Sequence, residues 1–373
     1  MFKIAKRVLW VGLVLALAGC SGQGFLSGQP GQPQPSSTPL IVAVAPPGST
    51  VTPTPFQPQP PTPTYLPTSY PTSTPTLIPF TPTRPPEEFT AGEAKSWADY
   101  PGPIIWPDIT VSAPAGILAQ PEGQVNILLL GSDQRPGEGG FRTDTIMLLT
   151  INPVDATVNL TSFPRDLYVY IPGWTVNRIN TAFGYGGFDA LALTMEYNFG
   201  VRPNYYILIH LSAFEEVVDS LGGLEVEVGK DMCDHRDNYG EYCVSQGTRW
   251  MDGETALWYV RSRYTTSDFD RGRRQQEVVQ AGFERLITLD AVQRAPELYQ
   301  IYQENFITNM ELADATPLLP LAMEVYQNNA IEHYYIGPQQ VYNWINYGGS
   351  QVLVPLRESV LEVMRAALNS PDE

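Results

Sequence analysis

Cysteine and histidine are scarce: three of each occur in 373 residues, too few to support a Cys/His zinc site. None of His210, His235 and His333 stands with a serine or cysteine in a nucleophile pattern, so all three read as structural. Lysine is rarer still for its type, confined to Lys3, Lys6, Lys95 and Lys230, and every other cation is arginine. Arginine is the residue for planar, bidentate recognition of phosphate, so this bias hints at the ligand. Positive charge is short overall: 22 Lys and Arg against 39 Asp and Glu leave a net charge of -17. A nucleic-acid partner, which calls for a basic face, is thereby excluded. No internal repeat is visible.

Long apolar runs are missing too. The stretch from Val8 to Ala18 falls well short of the roughly 20 residues needed to span a bilayer. Preceded by Lys3, Lys6 and Arg7, it suits the core of a signal peptide. It ends in Leu17-Ala18-Gly19-Cys20, which resembles a bacterial lipobox. That resemblance implies a diacylglyceryl group on Cys20 and loss of residues 1–19 as a lipoprotein signal peptide; the alternative is an uncleaved signal anchor. Either places the remainder outside the cytoplasm, held to the outer face of the membrane. Residues 20–105 then form a stalk. From Gln23 to Pro86 it is saturated with Pro, Thr, Ser, Gln and Gly, too polar to bury a core. At roughly 3.1 Å per residue such chain could reach on the order of 150 Å. In this oxidising compartment Cys233 and Cys243 read as a loop-closing disulfide rather than two free thiols.

Residues 106–369 carry the folded part. Val125 to Leu130 reads as a buried strand, and Thr145 to Ile151 and Thr157 to Phe163 flank the turn signal Asn152-Pro153-Val154-Asp155. Helical spacing follows over Phe188–Phe199, Ala213–Leu221, Gly253–Arg261, Phe269–Leu289, Pro296–Tyr326 and Glu358–Leu368, with strands at Tyr205–Leu211 and Leu224–Val228. Strands interleaved with helices predict an α/β fold with a mixed central sheet covered on both faces.

Arginines and aspartates gather at loop positions just after these strands. Asp133 and Arg135 follow the first; Arg142 and Asp144 precede the second; Arg165 and Asp166 follow the third. Arg178, Arg261, Arg263, Asp268, Arg271, Arg274 and Gln275 come later. Ligands of open α/β sheets bind beyond strand ends. Crowded guanidinium groups need carboxylates or a bound anion, and carboxylates among them add a divalent metal beside phosphate oxygens. The plain alternative is a set of surface ion pairs, each worth about 0–1 kcal/mol. Each pair alone fits that alternative; the whole cluster does not, since an acidic chain needs no such arginines for solubility.

The motifs Gly131-Ser132-Asp133, Arg142-Thr143-Asp144-Thr145, Phe163-Pro164-Arg165-Asp166, Asn177-Arg178-Ile179-Asn180, Asp219-Ser220-Leu221-Gly222-Gly223, Val260-Arg261-Ser262-Arg263 and Arg271 through Gln276 stand in one order. In that order and spacing, residues 126–286 resemble the LytR-CpsA-Psr family, with 287–369 compatible with its C-terminal part. The lipobox and the proline-rich stalk depart from the usual N-terminal transmembrane helix. The resemblance implies an extracytoplasmic phosphotransferase that moves a glycopolymer from a polyprenyl-pyrophosphate carrier to peptidoglycan or another surface acceptor. It implies Mg²⁺, or Mn²⁺ in its place, on Asp133 and Asp144. It implies a pyrophosphate grip by Arg142, Arg165, Arg261, Arg263 and Gln275, with Arg271 and Arg274 close by. Asp166 would orient an arginine or act as base. The polyprenyl tail needs an apolar groove, with Phe188, Leu191, Met195 and Phe199 or Val278, Val279, Phe283 and Leu286 as candidates beside plain core packing. Two other readings use the same residues: a polyprenyl-pyrophosphate hydrolase, and a non-catalytic envelope protein that binds anionic glycolipid.

Overall fold

A computed structural model describes residues 107–133, 142–263, 265–289 and 294–370. The expectations for the signal peptide, for Cys20, for the stalk and for Arg135 lie outside the described residues. Among those described, no helix is long and apolar enough to cross a membrane.

The frame is a six-stranded sheet. In chain order its strands are β1 (Val125–Ser132), β2 (Thr143–Asn152), β3 (Thr157–Ser162), β6 (Tyr205–His210), β11 (Phe306–Thr308) and β12 (Ile331–Tyr335). They lie side by side as β11-β6-β1-β2-β3-β12. The β1–β2, β2–β3 and β6–β11 pairs are antiparallel, while β1–β6 and β3–β12 are parallel. The sheet is therefore mixed. Alternation along β1 feeds two cores, because successive side chains of a strand point to opposite faces. Leu128 and Leu130 join Ile146 and Leu148 beneath helices α1 (Ala182–Phe199) and α8 (Arg357–Ala367). Ile127 and Leu129 join Leu149 and Ile151 on the other face. There they meet α4 (Asp268–Thr288) through Phe283 and α7 (Leu319–Asn328) through Val325. Both faces are covered, as the interleaved pattern predicts.

Local signals fix the ends of these helices. Gly200 caps α1 with φ 71°, a left-handed conformation that favours glycine, and its N–H reaches Glu196 O. A capping box formed by Ser267 and Asp270 starts α4. Asp252 accepts from Thr255 N to start α3 (Gly253–Arg261).

A second layer packs around α4. It holds α2 (Leu211–Ser220), α3, the pair β7 (Leu224–Val228) with β10 (Gly247–Met251), and the hairpin β8 (Met232–Arg236) with β9 (Gly240–Val244). Cys233 and Cys243 face each other across that hairpin, Cα atoms 4.1 Å apart, and are joined by a disulfide.

One sequence expectation needs correction. Pro296 to Tyr326 is not one helical stretch but α5 (Ala295–Asn305), β11, α6 (Leu312–Ala315) and α7. The reason is tertiary: β11 pairs with the edge of β6 from Phe306↔Ile209 to Thr308↔Ile207, which offsets its helical neighbours' pattern. Further strands were also absent from the sequence reading: β10 and β12, the hairpin β8–β9, the pair β4 (Tyr168–Tyr170) with β5 (Val176–Arg178), and the hairpin β13 (Val341–Ile345) with β14 (Gln351–Pro355).

Candidate active site

The ends of β1 and β2 set the first two carboxylates. Their register runs Gly131↔Thr145 and then Ser132↔Thr143, so Asp144 is an extra residue with no partner across the ladder. Such a bulge re-aims its side chain, here toward the strand end. Gly131 permits the close approach, since a Cβ there would lie 3.0 Å from Thr145 Cβ. Asp133 follows directly on Ser132. Both carboxylates line one cleft of about 570 Å³.

Four arginines meet them from three separate segments. Arg165, in the turn after β3, donates from Nη1 to Asp144 Oδ1 at 2.5 Å. Arg261 ends α3 and reaches Asp133 Oδ2 at 3.3 Å. Ser262 then leaves the helix with ψ 137°, so Arg261 and Arg263 both face the cleft although two residues apart. Arg263 has no partner among the described residues. Arg271, on the first turns of α4, pairs with Asp268 and is almost wholly buried. Its burial, with Arg165 and Arg263 nearby, lowers its pKa, while Asp268 and Asp144 oppose the shift. Burial likewise pulls on Arg165, but its bond to Asp144 and the charges of Asp144, Asp166 and Asp268 leave its pKa raised. Gln275 lines the same cleft, its Nε2 3.4 Å from Val260 O. A cleft in which guanidinium groups repel one another is suited to an anion of more than one charge.

The other expected residues fall elsewhere. Arg274 is a correction. It is 0% exposed and donates to Tyr259 O at 2.7 Å, to Thr266 Oγ1 at 3.0 Å and to Ser262 O. Its guanidinium staples the loop that carries Arg261 and Arg263, and it does not face the cleft. Asp166 is held by Arg178 Nε at 3.0 Å and by Arg165 Nε at 3.7 Å; of its two expected roles, this geometry is that of an orienting group. Arg142 precedes β2, exposed and without a partner among the described residues.

The cleft also has a wall that sequence reasoning missed. His235, Arg236, Asp237 and Asn238 of the disulfide-closed hairpin line it. The hairpin is pinned to the arginine loop: Ser262 Oγ donates to Asp234, Thr265 Oγ1 to Cys233 O at 2.5 Å, and Trp258 Nε1 to His235 O at 2.9 Å. Arg236 is buried beneath Tyr239 and Tyr242, its Cζ 4.3 and 4.6 Å from their ring centres. The cysteine pair around Asp237-Asn238-Tyr239-Gly240 was the available signal for this turn.

A separate apolar cavity of about 120 Å³ lies on the α4 side of the sheet, between β2, β3, α4 and α7. Val279 and Phe283 line it. Of the other groove candidates, Leu191, Met195 and Phe199 are core beneath the sheet's other face, joined there by the half-buried Phe188. Val278 is buried in the second layer and Leu286 is exposed.

Comparison with known proteins finds relatives in both sequence and fold. The transferase TagT of Bacillus subtilis, named for moving teichoic acid from polyisoprenyl-teichoic acid to peptidoglycan, is 33% identical over 214 residues, 56% of this chain and 66% of TagT. TagU of Oceanobacillus iheyensis is 35% identical over 203 residues, 52% of this chain and 62% of that protein. The regulatory protein MsrR of Staphylococcus aureus is 33% identical over 51% of this chain and 57% of its own length. The chain thus spans 57–66% of the curated relatives it matches. The fold matches B. subtilis TagV at 23% identity and a TM-score of 0.56, covering 67% of this chain and 98% of TagV. It also matches TagT bound to LIIa-WTA at 26% identity and 0.54, covering 70% and 98%. The description of the LytR_cpsA_psr family itself matches residues 107–365, from the first described residues into the last helix, and the chain belongs to that family.

Proposed function

We propose that this chain is an extracytoplasmic phosphotransferase that passes a glycopolymer from a polyprenyl-pyrophosphate carrier to peptidoglycan or another surface acceptor. The observation that carries this reading is the convergence of Arg165, Arg261, Arg263 and Arg271 with Asp133 and Asp144 on one cleft. The named activities of TagT and TagU support the same chemistry.

In this reaction the acceptor hydroxyl oxygen attacks the glycan-side phosphorus. A new P–O bond forms, the bond to the bridging oxygen breaks, and polyprenyl phosphate leaves with the electron pair. The hydroxyl proton passes to a carboxylate in the cleft. Negative charge grows on the departing phosphate, and the arginines answer it from fixed positions. Asp166 contributes by holding Arg165 and Arg178.

Asp133 and Asp144 suit a divalent cation. Two carboxylates on adjacent strand ends, with the remaining places left to phosphate oxygens and water, is the donor set that Mg²⁺ prefers, and Mn²⁺ would fit it too. A bound ion there would neutralise diphosphate charge. The polyprenyl tail would enter the apolar cavity lined by Val279 and Phe283. Lipidation of Cys20 would tether the enzyme beside its lipid donor.

The test offers the purified protein a lipid-pyrophosphate glycan donor with and without peptidoglycan. Acceptor-dependent release of polyprenyl phosphate, with glycan recovered on the wall, is expected. Release at the same rate without acceptor would make it a hydrolase, and no release at all would leave a binding protein.

A further inference from the structure

The hairpin that walls the cleft is a poor scaffold by itself. β8 and β9 form a sheet of only two strands, and such a hairpin is marginally stable in water when isolated. Cys233 and Cys243 stand opposite each other, both exposed, and their disulfide closes it.

The inner face of this hairpin carries charge. Burial alternates along β8, so Met232, Asp234 and Arg236 turn inward at 4, 2 and 5% exposed. Met232 and Val244 join the second-layer core. The two ionic side chains grip α3 at its opposite ends. Arg236 reaches Thr255 Oγ1 at 3.3 Å and Glu254 Oε2 at 3.2 Å, in the first turn. Asp234 accepts from Ser262 Oγ, where the helix ends, and from His235 N at 2.7 Å. A buried carboxylate needs such donors, and losing one is costly.

Ser262 stands between two arginines of the cleft. Arg274 holds its carbonyl and Asp234 its hydroxyl, so main chain and side chain are fixed from two sides. Trp258 and Thr265 add bonds to His235 O and Cys233 O, one before Ser262 and one after it. The hairpin thus helps set the directions of Arg261 and Arg263. Such a clamp stabilises developing charge because its donors are fixed beforehand.

We propose that the disulfide-closed hairpin positions this clamp: Asp234 acts through Ser262 on Arg261 and Arg263, and the Cys233–Cys243 bond makes the grip on diphosphate depend on oxidising surroundings. The role of the clamp rests on the transfer reaction proposed above. A dithiol gives two electrons and two protons to the exposed bond, leaving two cysteine thiols, and is itself closed to a cyclic disulfide. The opened hairpin no longer presents Asp234 at a fixed place, and the loop after α3 moves. The central sheet, built on other contacts, stays folded.

The test titrates the full-length protein in detergent with inorganic pyrophosphate, before and after reduction with dithiothreitol, and follows hydrogen exchange on the same samples. Reduction weakens binding about tenfold, the loss expected when one charge-assisted contact is no longer held, and reoxidation restores it. Exchange rises from Met232 to Val244 and from Trp258 to Thr266, while the central sheet keeps its protection. The double variant Cys233→Ser/Cys243→Ser binds like the reduced protein and ignores dithiothreitol. Ser262→Ala weakens binding about fivefold. Asp234→Asn retains most of the affinity, because an amide offers its carbonyl to His235 N and an N–H to the Ser262 hydroxyl. The proposal is overturned if oxidised and reduced protein bind alike, or if Ser262→Ala binds like wild type. It is overturned too if affinity is lost only together with the protection of the central sheet. Failure of the oxidised wild type to bind pyrophosphate would sink the transferase reading instead, and exchange around Arg261 and Arg263 would still decide whether the disulfide holds that loop.

Discussion

The polar cleft and the apolar cavity are built on one helix and share none of their chemistry. The first turns of α4 bring Arg271 and Gln275 to the cleft, and its later turns bring Val279 and Phe283 to the cavity. One is lined by cations and carboxylates whose charges depend on a ligand to settle; the other is lined almost wholly by hydrocarbon. The donor proposed above, with a diphosphate head and a long apolar tail, would use both environments, and a single helix running between them would act as a stiff spacer. Stability is divided differently. The cleft arginines Arg261 and Arg263 are exposed and cost little to remove, whereas Arg274, three residues after Arg271, is fully buried.

The sharpest way to break this comparison is Arg274→Ala. It would leave the buried Tyr259 and Ser262 carbonyls without their donor, a loss of about 3 kcal/mol. Thermal unfolding should show a clear drop, while Arg263→Ala should leave the melting temperature in place and weaken pyrophosphate binding. If the two variants unfold alike, the division into a stapling and a clamping arginine is wrong. Next comes Asp144→Ala. Loss of a preorganised charge in the cleft should cut glycan transfer by roughly 10²–10³-fold, read as product on peptidoglycan per unit time. Undiminished transfer would remove Asp144 from the site. A smaller change is expected at the other end of α4. Ala322→Trp fills the apolar cavity and should weaken a long-chain polyprenyl donor about tenfold, as the loss of about two buried methylenes at ~0.8 kcal/mol each predicts. Affinity for inorganic pyrophosphate should be untouched, and a matched loss of both would show that the two regions are not separable.

The smallest effect tests the scaffold under the clamp. Bonds donated by Thr255 hold the Asp252 carboxyl below its usual range. A depressed folded pKa stabilises above the unfolded value of about 4 and is lost as pH falls through the folded one. Asp252→Ala should therefore cost about 1 kcal/mol at pH 7, and the gap to wild type should close as denaturation is repeated below about pH 4. A gap that persists in acid would assign the loss to packing rather than to the cap.

The central strands were legible because each alternates or runs apolar over a length that only a strand can use. Val125 to Leu130, Thr145 to Ile151 and Thr157 to Phe163 all became strands of the sheet. The end of α1 was legible at Gly200, where a left-handed cap favours glycine, whereas the capping box of Ser267 and Asp270 that starts α4 was passed over. The three-residue β11 was not, because its strand character comes from the open edge of β6 rather than from its own pattern. The hairpins β8–β9 and β13–β14 escaped for a related reason. Their exposed faces carry no alternation, and what orders them is a disulfide in one case and the surface of β4–β5 in the other.

By itself the sequence determined the fold class, the family and the inventory of arginines and aspartates, because periodicity and motif order are properties of the chain alone. Only the tertiary structure decided which of those side chains meet. Arg274 and Gln275 are neighbours, and so point about 100° apart around their helix. One turns under the loop after α3 and the other into the cleft. What packs against each direction is set by segments far away in the chain, and no local pattern carries that information.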